Sequence, residues 1–177
     1  MKTRIISAFP GMGKSFVSSM NIETCLDSDS SNFSWLKKPD LSGDGVGTNS
    51  DVRNPEFPAN YIAHIKENIG KYEFIFVSSH EVVRKALIQE CIFFYLVYPV
   101  VWMKDVFIER YVKRKSPQSF IDLISKNWDN WINELIIFEN NNAGHSNWYT
   151  DKIYFSEILN DIIISENDVI KTKFYIN

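Results

Sequence analysis

The chain runs Ala8-Phe9-Pro10-Gly11-Met12-Gly13-Lys14-Ser15 near its start, and this stretch decides the fold. It joins an apolar strand predicted at residues 4–8 to a helix predicted from residue 14 to about residue 21. Glycines in such a turn let consecutive backbone N–H groups point inward, and the following helix adds the positive end of its dipole. The stretch therefore favours an anion, and a phosphate group in particular.

The same stretch matches the Walker A pattern of nucleotide-binding proteins, with Ala8 in place of the first glycine. In that pattern the lysine reaches the β- and γ-phosphates and the hydroxyl ligates Mg²⁺, which assigns these roles to Lys14 and Ser15. A chance match is the alternative, but the strand before the motif and the helix after it supply the context that the motif requires. The predicted cofactors are ATP and Mg²⁺, and the predicted nucleotide-binding residues are Pro10, Gly11, Met12, Gly13, Lys14, Ser15 and Phe16.

Apolar strands alternate with helices along all 177 residues. After the first strand, further strands are predicted at 24–26, 74–77 and 92–98, then at 148–150 or 153–155, with an edge strand at 171–176. Helices are predicted at 61–69, 81–90, 104–115, 116–138 and 158–164, and residues 30–58 read as a long polar loop. This order predicts one α/β domain over residues 1–177, with a parallel sheet and helices on both faces.

Composition narrows the partners and the compartment. The formal net charge is -3, so the chain has no general attraction for nucleic acid or an anionic membrane, and a polyanion site must be a local patch. No apolar stretch reaches membrane-spanning length. Cys25 and Cys91 are far apart in apolar runs, which favours two buried thiols in a reducing cytoplasm. The prediction is a cytoplasmic protein without a membrane partner, and its oligomeric state stays open.

Beyond the Walker A element, the chain resembles the small P-loop kinases, which include nucleoside monophosphate kinases and gluconate- or shikimate-kinase-like enzymes. The resemblance covers the order and spacing of elements along most of the chain, and the Walker A element is its specific part. It implies a three-layer P-loop NTPase fold with a five-stranded parallel sheet, an acceptor-binding region after the second strand and a basic lid after the fourth. Residues 28–58 and residues 104–118 occupy these two places.

An Asp-x-Asp sequence, Asp27-Ser28-Asp29, ends the second predicted strand on the same sheet edge as the Walker A element. In the sugar- and shikimate-type kinases, such a pair helps to hold Mg²⁺ and the acceptor hydroxyl. By this likeness, Asp27 takes the proton of a hydroxyl acceptor, or serves Mg²⁺ through water if the acceptor is a phosphate. An Asx turn that leaves the strand is the structural alternative for the pair.

Other residues near the predicted acceptor region carry open alternatives. Arg53 either grips the acceptor, as the likeness implies, or is a solvated loop charge, and Trp35 reads as a loop anchor rather than a base-stacking platform. Ser78 follows the third strand where many ATPases carry a Walker B aspartate, which disfavours a motor protein and is compatible with a gluconate-type kinase. His80 reads as a helix cap or surface residue, and Arg84 is a weaker phosphate candidate.

Basic residues crowd the segment after the fourth strand: Lys104, Arg110, Lys113, Arg114 and Lys115. Arg110 and Arg114 are four residues apart, so they share one helix face. Lid arginines of the resembled kinases neutralise charge on the transferring phosphoryl group and help to exclude water. A solvated basic face paired with Asp105 and Glu109 is the alternative.

These assignments give one committed set of residues and three functions. The predicted catalytic residues are Lys14, Asp27, Arg110 and Arg114, the predicted substrate-binding residues are Asp29, Arg53, Ser78 and Arg84, and the predicted Mg²⁺ ligands are Ser15 and Asp27. The leading function is an ATP-dependent phosphotransferase acting on a small molecule, with a nucleoside monophosphate or its deoxy form as the acceptor. The alternatives are a kinase for a nucleoside, sugar or polynucleotide hydroxyl, and a regulatory protein that binds ATP without rapid turnover.

Overall fold

The computed structural model describes residues 1–38, 49–142 and 146–174, in which strands and helices alternate. The strands are β1 (Arg4–Ala8), β2 (Cys25–Asp27), β3 (Trp35–Lys37), β4 (Asn49–Arg53), β5 (Phe74–Ser78), β6 (Tyr95–Pro99) and β7 (Ser146–Thr150). The helices are α1 (Lys14–Met20), α2 (Ser31–Ser34), α3 (Ala59–Asn68), α4 (Glu81–Gln89), α5 (Lys104–Lys113), α6 (Gln118–Asn141) and α7 (Phe155–Phe174), with a short 3₁₀ turn at Val101–Met103.

The central sheet is parallel and orders its strands β2-β5-β1-β6, with β7 pairing beside β6. Ala8, the last residue of β1, lies opposite Ser78 of β5 and Val97 of β6. The carboxyl ends of the strands therefore meet at one edge, and the glycine loop, residues 9–13, leaves the sheet at the middle of that edge. The prediction of an α/β fold built on a parallel sheet is confirmed.

The two strands β5 and β6, which flank β1 in the sheet, are buried because their sequences are mostly apolar. All five residues of β6 are buried, and in β5 the first four are buried, as expected of parallel strands covered on both faces. In α6 the buried side chains are Ile121, Ile124, Trp128, Ile132 and Leu135. Leu123 is 51% exposed, because the buried apolar stripe follows the three- and four-residue steps from Ile121.

Three sequence predictions about the outer parts of the chain need correction. Residues 30–58 are not one loop, because they contain α2 and an antiparallel hairpin of β3 and β4, although residues 39–48 lie outside the described residues. The predicted edge strand at 171–176 is wrong as far as Phe174, because these residues belong to α7. The helix predicted at 158–164 is too short, because α7 begins at Phe155 and continues to Phe174. The buried residues Ile158, Leu159 and Ile162 of α7 keep helical spacing. Residues 175–176 lie outside the described part.

Both cysteines were predicted to be buried, and the prediction is correct for only one of them. Cys25 is buried in β2, but Cys91 is exposed. Cys91 follows the end of α4 with a φ of 53°, in the left-handed turn that ends the helix. In the described part of the chain, no helix is both long enough and apolar enough to cross a membrane.

Candidate functional site

The glycine loop depends on two glycines with left-handed backbone. Gly11 has a φ of 81° and Gly13 a φ of 109°, where an L side chain is strained. A Cβ atom on Gly11 would also lie 2.7 Å from Cε1 of Tyr111, whose hydroxyl donates to the carbonyl of Pro10 at 2.8 Å. The loop is therefore shaped both by its own backbone and by α5, which packs against it.

Lys14 begins α1 and folds back over the loop. Its Nζ donates to the carbonyl of Ala8 at 2.8 Å and to that of Phe9 at 3.5 Å. Burial lowers the pKa of Lys14 to about 8, although the charges of Asp27 and Asp29 act in the opposite direction. The amine is thus positioned at the loop and is poorly solvated there.

Asp27 supplies the carboxylate next to Ser15. Oγ of Ser15 donates to Oδ2 of Asp27 at 2.5 Å. Asp27 ends β2, so the acidic partner of this hydroxyl comes from an edge strand and not from Ser78 at the end of β5. Asp29 lines the same cavity, but its Oδ1 accepts the N–H of Ser31 at 2.9 Å, so the Asx turn considered as an alternative is present at Asp29.

A cavity of about 620 Å³ opens at this edge of the sheet. It runs from the glycine loop to the β3–β4 hairpin, and its charged and titratable lining includes Lys14, Asp27, Asp29, Arg53, His80 and Arg114. Serine side chains from the ends of β2 and β5 complete much of the wall. Its volume falls in the range of small-molecule sites, and such crevices at the carboxyl ends of strands are the usual ligand sites of α/β sheets.

Arg53 and Trp35 form one wall of this cavity together. They are register partners on the hairpin, and the guanidinium carbon of Arg53 lies 3.9 Å from the centre of the Trp35 ring. The ring fixes the orientation of a side chain whose residue is otherwise exposed. Trp35 therefore acts as an anchor, as the sequence favoured, and what it anchors is a cation at the cavity.

Arg110 and Arg114 both line the cavity, but they are held differently. Arg110 donates through Nη1 to the carbonyl of Gly11 at 3.3 Å and through Nη2 to that of Ile153 at 2.7 Å. Arg114 donates through Nε to Oγ of Ser116 at 2.6 Å and stacks over Tyr111. Arg110 is thus bound to the backbone of the loop and of the segment before α7, whereas Arg114 is held by the side chains of Ser116 and Tyr111.

The predicted lid segment is part of the packed structure. Phe107 and Tyr111 of α5 are fully buried, so moving the whole helix would expose two aromatic rings. Lys113 pairs with Glu109 at 2.9 Å, which matches the alternative of a solvated basic face for that residue. Arg110 and Arg114 of this segment line the cavity, while its aromatic rings are packed in the core.

The end of β5 and the residue that caps α4 contribute side chains to the cavity. Ser78 and His80 line the cavity, and the backbone N–H of His80 donates to Oγ of Ser78 at 3.2 Å. Burial and the charges of Lys14 and Arg53 lower the pKa of His80, so its imidazole is neutral near pH 7.

Arg84 is the one substrate-binding prediction that the structure corrects. Its side chain is 1% exposed and pairs with Glu134 of α6 and with the carbonyl of Ser79. The ring of Phe138 lies 4.5 Å below its guanidinium carbon. These contacts commit Arg84 to joining α4 and α6, because a buried cation needs such partners.

A second, apolar cavity of about 500 Å³ lies on the other side of the glycine loop. Its walls come from α1, through Phe16, Val17 and Met20, and from the connector between β7 and α7. This wall consists of Ile153 and Tyr154 of the connector and of Phe155 and Ser156, the first two residues of α7. Arg110 lines both cavities, so they adjoin at the loop. Sequence reasoning missed this wall because residues 151–154 carry no motif.

Tyr61 was also missed as a site residue. It is fully buried in α3, donates through its hydroxyl to the carbonyl of Ser28 at 2.5 Å and accepts the N–H of Ser78 at 3.3 Å. It therefore ties the end of β2 to the end of β5 beneath the cavity. Tyr61 opens the apolar stripe of its predicted helix, and nothing in that pattern reveals the partners of its hydroxyl.

The chain's oxygen ligands suit a magnesium ion that keeps most of its water. Within residues 1–38, 49–142 and 146–174 there is no group of three or more His, Cys, Asp or Glu side chains that could hold a metal ion. Mg²⁺ in nucleotide sites commonly takes only one or two protein oxygens and fills its shell with phosphates and water. The adjacent Ser15 hydroxyl and Asp27 carboxylate meet that requirement.

Comparison of the sequence with protein-family models and with curated proteins finds no match. Function is therefore inferred from the geometry of the site.

Proposed function

We propose that the chain is an ATP-dependent phosphotransferase with the three-layer fold of P-loop kinases and a five-stranded parallel sheet. The observation that carries this proposal is the meeting of Lys14, Ser15 and Asp27 at a left-handed glycine turn, at the mouth of one cavity. The lining of that cavity also includes Arg53 and Arg114, two cations that the Walker A element alone does not need. A site that combines a phosphate loop with additional cations suits transfer between two anionic molecules.

In this proposal the glycine loop and the first turn of α1 bind the triphosphate through backbone N–H groups. Lys14 moves from the carbonyl of Ala8 to the phosphates, which is favourable because its ammonium is poorly solvated in the free protein. Ser15 and Asp27 would hold Mg²⁺, and the bound ion supplies neutralisation of phosphate charge. Arg114 approaches the charge that develops on the transferred group, since its charge already acts on Lys14.

A nucleoside monophosphate or its deoxy form is the acceptor that the cavity favours. Arg53 is held flat against Trp35 at the far wall, and a guanidinium in that state binds a phosphate with little loss of side-chain freedom. The serine-rich wall offers hydroxyls that both donate and accept, which suits a sugar. The volume of about 620 Å³ accommodates a mononucleotide next to the terminal phosphate of the donor.

A hydroxyl kinase is the second candidate, and Asp27 is the observation that favours it. Its carboxylate lies in the cavity at the phosphate end, where a general base for a hydroxyl acceptor is needed. A phosphate acceptor needs no base there, so the two candidates differ in what Asp27 must do.

A panel of acceptors tests the proposal. Release of ADP from Mg²⁺–ATP is measured with ribo- and deoxynucleoside monophosphates, nucleosides, sugars and a 5′-hydroxyl oligonucleotide, using the full chain. We expect stimulation only by the monophosphates, and loss of it in Lys14→Ala. Stimulation only by hydroxyl acceptors, abolished in Asp27→Asn, would establish the second candidate. Tight ATP binding without stimulation by any acceptor would contradict both and leave a regulatory nucleotide-binding protein.

Binding of ATP should become coupled to proton uptake above pH 8. In the free protein Lys14 has a pKa of about 8, and a bound triphosphate stabilises its charged form, so its pKa rises on binding. The ATP phosphates themselves titrate near pH 6 and do not contribute there. Affinity is then constant from about pH 7 to 8 and falls by up to about tenfold per unit above it. Calorimetry at pH 9 in two buffers of different ionisation enthalpy measures the proton uptake.

Lys14→Ala should remove that proton uptake, and its persistence in the variant would assign it to another group.

The pH dependence of folding stability has the opposite sign to the pH dependence of ATP affinity. Because folding lowers the pKa of Lys14 from 10.5 to about 8, the unfolded chain binds more protons between these values. The contribution of Lys14 to the free energy of unfolding of the ligand-free protein therefore rises with pH across that window.

Arg110 and Arg114 should separate in kinetics. Arg114→Ala is expected to lower kcat by about 10²-fold with little change in ATP affinity, because its guanidinium stabilises charge during transfer. Arg110→Ala is expected to weaken ATP binding more than it lowers kcat, since Arg110 holds the carbonyls of Gly11 and Ile153. Lys113→Ala, on the same helix but paired with Glu109, is the matched control. Equal losses of stability in both arginine variants without a kinetic difference would contradict these roles.

A further inference from the structure

The apolar cavity bounded by α1 and the β7–α7 connector has few groups that could read a base. Among the described residues, its polar side chains are Asn21, Arg110, Tyr154 and Ser156. The amide Nδ2 of Asn21 donates to the carbonyl of Val17 at 3.0 Å. Arg110 is bound to the carbonyls of Gly11 and Ile153. The side-chain nitrogens at this cavity are therefore already committed to backbone oxygens.

The remaining groups are of kinds that select weakly. The hydroxyls of Tyr154 and Ser156 can each rotate to donate or accept, so they suit an amino group and a carbonyl equally. Phe16 is 72% exposed, Met20 71% and Tyr154 66%, so a ring placed between them keeps an edge in water. An enzyme rejects the wrong ligand strongly when that ligand leaves buried polar groups unpaired, and an exposed edge avoids this penalty because water pairs with it.

We infer that this cavity seats the base of the phosphate donor by apolar contact, and that the protein accepts purine and pyrimidine nucleoside triphosphates with similar affinity. The inference rests on the proposed function, since it takes the glycine loop as the seat of the triphosphate. The cavity adjoins that loop directly, because Gly11, Gly13 and Arg110 line both cavities. The flat, apolar walls contribute to affinity by covering a ring, whichever base carries it.

Competition binding with the full chain tests the inference. The probes are the Mg²⁺ complexes of ATP, GTP, CTP and UTP, and Mg²⁺–tripolyphosphate as a probe without a base. We expect the four nucleotides to bind within about fivefold of one another. All four should bind at least about tenfold more tightly than tripolyphosphate, because only they cover the apolar walls.

A matched pair of variants assigns the difference to the cavity. Met20→Ser should weaken all four nucleotides while leaving tripolyphosphate binding unchanged. Ile22→Ser, at a residue equally exposed but outside the cavity walls, should change neither. A preference of more than about 30-fold for one base, or nucleotides no tighter than tripolyphosphate, would overturn the inference while leaving the phosphate site intact. Tripolyphosphate binding that is absent, or unchanged in Lys14→Ala, would instead overturn the proposed function beneath it.

Discussion

Replacing Lys14 with alanine is expected to lower acceptor-dependent ADP release by about 10²- to 10³-fold, the usual cost of removing one group that stabilises developing charge. Lys14 projects from the first turn of α1 onto the loop, where its amine replaces contacts to the carbonyls of Ala8 and Phe9 with contacts to phosphate. Steady-state kinetics with saturating acceptor measures the loss.

Unfolding does not explain that loss, because the fold already disfavours the charged amine of Lys14. Its pKa is lowered by burial, so removal of the ammonium relieves a desolvation cost at neutral pH. We expect the thermal midpoint of Lys14→Ala to stay at or above that of the parent. Lys113→Ala, a lysine already paired with Glu109, should keep full turnover. Unchanged turnover in Lys14→Ala would refute the phosphate site.

The parallel sheet and the glycine loop were predictable because their signals are local. Residues 74–77 are a short, continuous apolar run of the kind expected of a buried parallel strand, and the helix after Gly13 follows from the motif itself. The convergence of Asp27 and Ser15 followed from one rule, that parallel strands end at the same edge.

The remaining features depend on partners distant in sequence. The sequence made Arg84 a candidate for phosphate binding, but Arg84 forms an ion pair with Glu134, which lies 50 residues later in the sequence. Nothing in the sequence pairs Trp35 with Arg53, because their stacking depends on the hairpin that places them in register. Residues 153–154 contribute to a cavity wall only because β7 ends next to the site, and no local sequence pattern predicts that placement.

Gly11→Ala is expected to have the largest effect on the glycine loop. This effect has two causes, backbone strain and a clash with Tyr111, and Gly70→Ala separates them. Gly70 has a φ of 88° with nothing within 4 Å of an added Cβ, so alanine there meets backbone strain alone, at a cost of about 1–2 kcal/mol. Gly11 has a similar φ of 81°, but its Cβ would also lie 2.7 Å from Tyr111. Overpacking of that kind adds about 1–3 kcal/mol to the loss of unfolding free energy.

The clash also predicts which function is lost. Relief of the contact requires the loop to move away from α5, which misplaces the N–H groups that would surround a phosphate, so Gly11→Ala should lose nucleotide binding while Gly70→Ala keeps it. Denaturant unfolding and nucleotide titration of both variants measure the two effects. In a Tyr111→Ala background the ring is gone, and the cost of Gly11→Ala should fall to that of Gly70→Ala. An undiminished cost there would mean that backbone strain alone, and not packing against α5, fixes the shape of the loop.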